Sequence, residues 1–378
     1  MWVRHLLGII FILAFFASCI EELDSPISQS QVHIINKVND LKIRETKSLS
    51  NGGFLIAGNS ENKPYVQCVN HLGNETWSYV AIEYLGSYNS IDNVAENQVL
   101  LGGEEIVGNN IGFTSGLLTC FDKEGKYKWT KLYSEDSAAH FKINTLVFSP
   151  NTNSYFAIVF KSKPQGLVWN QEYTLAEFDI NGNIVQSQSL DAFGVSFSYR
   201  SLAFFNNTLF ISGYHSQTYN PVIGKFNVVS KKLEYQNLDG QVSANHSFYN
   251  LKASEHGLSA IQIYSEGPNE PKTYLATFNY DLTHFDSLYL KNYNVVDFQE
   301  TGKELICYGQ KLVDNGYRPI ITRILDGKIT NEQFLTLNQA RILNYNTMPQ
   351  YLKVLAFNAG NLMLINLDVN DTEMFLKN

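Results

Sequence analysis

A short apolar segment recurs along this chain about every fifty residues, and this repeat constrains the fold more than any other feature. The copies are GGFLIAG (52–58), VLLGG (99–103), YFAIVF (155–160), LFISGY (209–214), LSAIQIY (258–264), ELICYG (304–309) and YLKVLAF (351–357). Repeats of this kind predict a fold in which copies of one small unit stack on their neighbours, because a single unit cannot bury its own apolar surface.

Each copy belongs to a larger pattern of strands. It is followed by a second apolar segment, a turn rich in Asp, Asn and Gly, and a third segment, as in YVQCVNHLGNETWSYV (65–80) and GLLTCFDKEGKYKWTKLY (116–133). A further strand can form ahead of it, as in SIDNVAEN (90–97) and NVVDFQETG (294–302). Four short strands per unit predict an all-β fold, a β-propeller of seven four-stranded blades, with six or eight blades as alternatives. The aromatic content of 13% suits such sheets.

The first two units resemble a known repeat, GG-aromatic-aliphatic followed by Asp-x-x-Gly-x-x-x-Trp. This repeat is typical of lipid-anchored β-propeller proteins of Bacteroidota, which are distantly similar to quinoprotein-like propellers. The resemblance implies that Trp77 and Trp129 pack between blades, with Asn70 standing where the pattern has Asp. Later units lack the tryptophan, and no quinoprotein cofactor ligands match, so no cofactor is expected.

The N-terminal segment predicts export. Residues 1–18 have a basic start, an apolar run and small residues directly before Cys19, which is the pattern of a signal peptide with a lipobox. We expect lipidation of Cys19, an acidic tether over 19–30 and a single β-propeller domain over 31–378. An ordinary signal peptide and an uncleaved anchor are the alternatives. The acidic residues after Cys19 resemble an export tag, which favours the surface over the periplasmic face of the outer membrane.

The segment 31–38 is expected to pair beside an outer strand at 371–378 and so close the ring.

Cys68, Cys120 and Cys307 are expected to be small buried hydrophobes, with a Cys68–Cys120 disulfide as the alternative.

Charge and motifs exclude several functions. The net charge of −8 argues against a nucleic-acid partner. The eight histidines are scattered, so no metal site is predicted. The paired carboxylates Glu104–Glu105 and Glu135–Asp136 could serve glycan cleavage, but neighbouring side chains on a strand point in opposite directions. Enzyme activity stays open, and a non-catalytic protein is favoured.

Aromatic residues in two loops give the strongest indication of binding. The segments 163–173 and 212–221 interrupt their units at the same relative place. The candidate binding residues are Trp169, Tyr173, Tyr214, Tyr219, Tyr264 and Tyr317. Such aromatics stack on sugars or anchor protein partners, although packing between blades is an alternative role.

These observations predict an exported lipoprotein that acts as a binding or scaffolding module at the outer membrane or cell surface. Its expected partners are the membrane, through the lipid on Cys19, and a protein or glycan on one face of the propeller. The alternative is a carbohydrate-active propeller enzyme that uses carboxylates at the channel mouth.

Overall fold

The computed structural model consists of strands and short turns. It describes residues 31–37, 40–92, 98–107, 113–134, 140–165, 168–190, 195–215, 221–238, 246–264, 272–301, 304–313, 316–335, 340–347, 351–358 and 361–368. Within these ranges no helix is long and apolar enough to cross a membrane.

The strands follow one another in units of four. The first unit is β2 (Leu41–Ser48), β3 (Phe54–Ser60), β4 (Lys63–Val69) and β5 (Glu75–Val80). An eight-stranded sheet follows, with β6 (Gly86–Asp92), β7 (Gln98–Ile106), β8 (Thr114–Asp122), β9 (Tyr127–Tyr133), β10 (His140–Ser149), β11 (Ser154–Gln165), β12 (Val168–Asp179) and β13 (Ile184–Ser189). Its halves β6–β9 and β10–β13 are joined by one parallel pair, His140 with Thr114.

The next three sheets repeat the same antiparallel order. They are β14 (Val195–Phe205), β15 (Thr208–His215), β16 (Pro221–Asn227) and β17 (Lys232–Asn237); β18 (His246–Ser254), β19 (Gly257–Tyr264), β20 (Lys272–Phe278) and β21 (Phe285–Leu290); and β22 (Tyr293–Thr301), β23 (Glu304–Val313), β24 (Gly316–Leu325) and β25 (Lys328–Phe334). The recurring apolar segments of the sequence are the second strands of the units.

The last sheet joins the two ends of the described chain. It consists of β26 (Arg341–Thr347), β27 (Tyr351–Asn358), β28 (Asn361–Asp368) and β1 (Gln31–Lys37). β1 runs antiparallel to β28 and occupies the outer position. The expected outer strand at 371–378 lies outside the described residues, and the partner of β1 is β28 itself.

The ring has two distinct faces because successive strands alternate in direction. On the turn face, first strands lead into second strands and third strands into fourth strands. On the loop face, second strands lead into third strands and each unit connects to the next. Gln31 pairs with Asn366 and Lys37 with Asn361, so β1 begins on the turn face.

The core lies between consecutive units. Leu101 and Phe121 pack against Leu55 and Val66 of the preceding unit. Likewise, Leu355, Leu362 and Leu364 of the last sheet pack against Phe54 and Ile56 of the first. Both faces of each sheet are therefore buried by a neighbour. Cys68, Cys120 and Cys307 are buried free thiols, as expected. Burial raises the pKa of Cys120 to about 11 and that of Cys307 to about 12.

Glycines in two turns lie against the predicted packing tryptophans. Gly125, in the turn between β8 and β9, has φ of 82°, and a Cβ there would lie 2.2 Å from the ring of Trp77. Gly182 lies against Trp129 in the same way, with a Cβ position 2.6 Å from its ring. Trp77 also stacks on Phe121, with ring centroids 5.6 Å apart. Each tryptophan thus packs on the turn of the following unit.

The first strand of each unit is the innermost one. Polar side chains on these innermost strands bind the backbone of the next unit. Glu45 Oε2 accepts from Ile91 N (2.8 Å), and Asn250 Nδ2 donates to Val296 O (2.6 Å). At the junction of the last and first units, Asn344 Nδ2 donates to Thr46 O (3.0 Å) and Asn346 Nδ2 to Leu49 O (2.7 Å). We call these bonds the inner clasp. They complement the apolar packing with directional contacts that cross each of these junctions.

Gly125→Ala should destabilise the protein by about 2–4 kcal/mol, because the methyl group would meet the Trp77 ring in a left-handed backbone conformation. Gly327→Ala is the matched control: its φ is 69°, but a Cβ there would meet nothing within 4 Å. It should cost only about 1–2 kcal/mol of backbone strain. Urea unfolding measures both, and equal losses would contradict the packing role.

Asp92→Ala should destabilise the protein by about 2–4 kcal/mol, because the buried backbone N–H of Phe148 would lose its acceptor. Asp92 is 1% exposed, and its carboxylate accepts from Phe148 N (2.6 Å) and from Lys47 Nζ (2.9 Å). Lys123→Ala, at an exposed ion pair with Glu124, should change the free energy of unfolding by less than about 0.5 kcal/mol. A loss no larger than that of the control would show that Asp92 does not hold its neighbours together.

Candidate binding surface

The backbone of four candidate aromatic residues lies on the loop face. Trp169 pairs with Pro164 near the tip of the β11–β12 hairpin, and Tyr317 pairs with Leu312 at the tip of β23–β24. Tyr214 ends β15, next to Pro221, and Tyr264 ends β19, next to Lys272. Tyr219 lies in 216–220, outside the described residues.

The two candidates whose side chains are described differ in environment. Tyr173 is half-buried, and its ring lies 5.3 Å from that of Phe160, beside the cluster that contains Phe156 and Phe226. It therefore packs within the protein. Tyr317 is 50% exposed and is available to a partner.

An exposed apolar patch on the same face was missed by the sequence analysis. It comprises Val80, Ile82 and Leu85, around the link from β5 to β6, and Ile106 and Val107 at the end of β7, exposed by 37%, 70%, 48%, 37% and 42%. The link is fixed to β7, since Ile106 N donates to Leu85 O (2.6 Å). Exposed apolar clusters of this kind mark interaction surfaces. The signal in the sequence was an apolar link, VAIEYL (80–85), where a polar loop is usual.

Charged residues border the apolar patch. Glu104 pairs with Lys142 of the following unit at 3.8 Å, and burial raises the pKa of Glu105. His140 lies close to Phe113, with ring centroids 6.1 Å apart, and burial lowers its pKa. Glu104 and Glu105 are neighbours on β7 and so point to opposite sides of the sheet. Glu135–Asp136 lies outside the described residues.

Three carboxylates on the innermost strands are engaged with neighbouring groups. Glu45 and Asp92 accept the backbone bonds given above. Asp297 Oδ1 lies 2.9 Å from Lys252 Nζ, and its Oδ2 accepts from Tyr308 OH (3.2 Å). In the described ranges, no three His, Cys, Asp or Glu residues are grouped closely enough to hold a metal ion. These three carboxylates are thus part of the framework of the ring.

The chain resembles known proteins in its structure. Neither a protein-family model nor a curated protein matches the chain. The β-propeller domain of the Trilobed protease from Pyrococcus furiosus, described as having an open velcro topology, has a TM-score of 0.53 at 11% identity. The match covers 89% of this chain and 98% of that one.

Two further solved structures are similar. Phage phi92 endosialidase has a TM-score of 0.51 at 10% identity, over 92% of this chain and 70% of that one. The polysaccharide lyase Uly1 has a TM-score of 0.52 at 7% identity, over 86% and 90%. At such identities the likeness concerns the fold alone, and together with the ring of antiparallel sheets it makes this chain an all-β protein with the β-propeller fold.

Proposed function

We propose that this protein is an exported, lipid-anchored β-propeller whose loop face binds a protein partner, and that it is not an enzyme. The observation that carries the proposal is the exposed apolar patch around the link from β5 to β6. An exposed group of large aliphatic side chains such as these five is typical of an interaction surface. Tyr317 extends the candidate surface on the same face.

The proposed propeller has seven blades. The eight-stranded sheet counts as two blades, because its halves are joined through the single pair of His140 with Thr114 and each half repeats the strand order of the other sheets. β1 supplies the outer strand of the seventh blade. Residues 31–378 then form one domain.

The strand order supports an orientation for this surface. β1 begins at Gln31 on the turn face, so the tether of residues 19–30 would leave the ring there. A lipid on Cys19 would hold the turn face nearer the membrane and leave the loop face directed away from it. This arrangement fits a lipoprotein of the outer membrane, with the surface-exposed side favoured over the periplasmic side.

The chemistry of the apolar patch favours a protein over a glycan. Aliphatic side chains pack against other apolar side chains, whereas sugars are bound by stacking on aromatic rings. A carbohydrate-active enzyme would instead need two free carboxylates at the channel mouth. The engagement of Glu45, Asp92 and Asp297 within the ring argues against that alternative.

Cys19→Ser should abolish incorporation of a radiolabelled fatty acid and release the protein from membranes. The reason is that the thiol of Cys19 is the proposed site of acylation, and the acyl chains supply the membrane affinity. Cys68→Ala, which removes a buried thiol of the ring, is the matched control and should keep both the label and the membrane fraction. Unchanged labelling of Cys19→Ser would remove the proposed anchor.

A photo-crosslinking amino acid at position 82 should give a discrete crosslinked protein product in intact cells. Ile82 is 70% exposed on the loop face. Position 72 is the matched control, since Leu72 is 55% exposed in the turn after β4 on the turn face. Immunoblotting should show the product from position 82 only. Its absence there, or equal products from both positions, would contradict a specific partner at the apolar patch.

A further inference from the structure

The turns between third and fourth strands share one design in five units. Each begins with an Asn or Asp whose side chain accepts backbone N–H groups of the same turn: Asn70, Asp122, Asp179, Asn227 and Asn279. The turn between β24 and β25 is shorter. It consists of Asp326 and Gly327 alone, both with positive φ (50° and 69°).

The longer turns cover the preceding unit. Gly125 and Gly182 rest on Trp77 and Trp129, as described above. Leu282, in the turn after β20, is fully buried, and its carbonyl accepts from Gln236 Nε2 of the preceding unit (3.1 Å). Gly327 has open space where a Cβ would stand. The short turn therefore leaves part of the unit β18–β21 uncovered.

A cleft of about 240 Å³ lies at this place, between the unit β18–β21 and the unit β22–β25. Its walls include the buried apolar side chains of Leu258, Phe278 and Ile324. His256 and Asp326 are exposed at its edge. No lysine or arginine occurs among the described residues that line it.

Glu300 gives the cleft an unsatisfied acceptor. Its Oε1 accepts from Ser259 Oγ at 2.7 Å. Its Oε2 is covered by protein atoms and has no hydrogen-bond partner. A buried acceptor without a partner is energetically unfavourable, and more so when it is charged. Because Oε2 is covered, a donor in the cleft recovers this energy once the carboxylate turns Oε2 toward it.

A second glutamate beside a serine shows which donor satisfies such an acceptor, although it lies on a third strand and Glu300 lies on a first strand. Glu177, on β12, is 4% exposed; it accepts from Ser154 Oγ (2.8 Å) and from Lys231 Nζ (2.7 Å). Lys231 belongs to the turn of the following unit. Glu300 has its serine, Ser259, but the short turn Asp326–Gly327 contains no lysine that could supply an ammonium group.

We propose that the cleft beside Glu300 binds a primary ammonium group carried on an aliphatic chain. The Glu300 carboxylate rotates so that its Oε2 accepts from the ammonium, and the chain packs on Leu258, Phe278 and Ile324. Since a water molecule takes about 30 Å³ of liquid, the cleft has room for the stem and ammonium group of one lysine side chain. This site lies on the turn face and is independent of the loop-face surface proposed above.

Titration calorimetry with n-butylammonium and with 1-butanol tests the site in the intact domain. The ammonium compound should bind about tenfold more tightly than the alcohol, because only the cation forms a charge-assisted bond to the carboxylate. Glu300→Gln should remove that difference. Glu304→Gln is the matched control, because Glu304 pairs with Arg323 (3.3 Å) and does not line the cleft. It should bind as the unmodified protein does.

A lysine-containing tripeptide distinguishes two sources of the ammonium group, a lysine side chain of a polypeptide and a free amine. Binding of the tripeptide well above that of n-butylammonium assigns the site to a lysine of a polypeptide, and equal or weaker binding assigns it to a free amine. Equal affinities for n-butylammonium and 1-butanol, or an unchanged preference in Glu300→Gln, would overturn the proposal. Should Glu300→Gln not fold, a crystal of the unmodified protein soaked in n-butylammonium decides: an ammonium nitrogen within hydrogen-bond distance of Glu300 supports the site, and its absence from the cleft refutes it.

Discussion

The inner clasp is the interaction on which the rest of the ring depends. A side chain on an innermost strand reaches forward to a backbone group of the next unit, as Asn250 does to Val296 and Asn344 to Thr46. The apolar faces of the sheets require a neighbour on each side, but apolar contact alone does not fix how two sheets are aligned. A hydrogen bond to a particular backbone atom does. The clasp thereby sets the alignment in which the side chains between units pack.

β-bulges aim the residues of the clasp. The pairing of each described first strand with its second strand shifts register once, for example between Ile43 and Glu45 and between Ile342 and Asn344. A bulge adds one unpaired residue and turns the side chains that follow it. Glu45 and Asn344 come directly after such shifts and carry clasp bonds. The irregularity recurs in every unit, which marks it as part of the design of the ring.

The sequence predicted the strands because alternating apolar residues and Asx–Gly turns are local signals. Asn70 illustrates this: it stands in place of Asp, and its side-chain oxygen accepts the same backbone bonds as Asp179 does. The pairing of β1 with β28 and the apolar patch at Ile82 depend on contacts between distant segments, which spacing does not reveal. The cleft was hidden for the same reason, since a two-residue turn looks ordinary until the surface it fails to cover is known.

In this ring the strands maintain closure and the turns do not. Binding sites can therefore arise at the turns without opening the ring. Closure depends on the innermost strands and on β1, so a turn can lose residues without opening the ring. The short turn at Asp326 leaves the cleft beside Glu300 uncovered, while Gln299 of the same strand still binds Tyr345 O of the next unit at 3.0 Å. The apolar link at 80–85 likewise departs from the repeat while Glu45 still binds Ile91. Functional surfaces in this protein are therefore expected where a turn or link departs from the repeat while the innermost strands keep their bonds to the next unit.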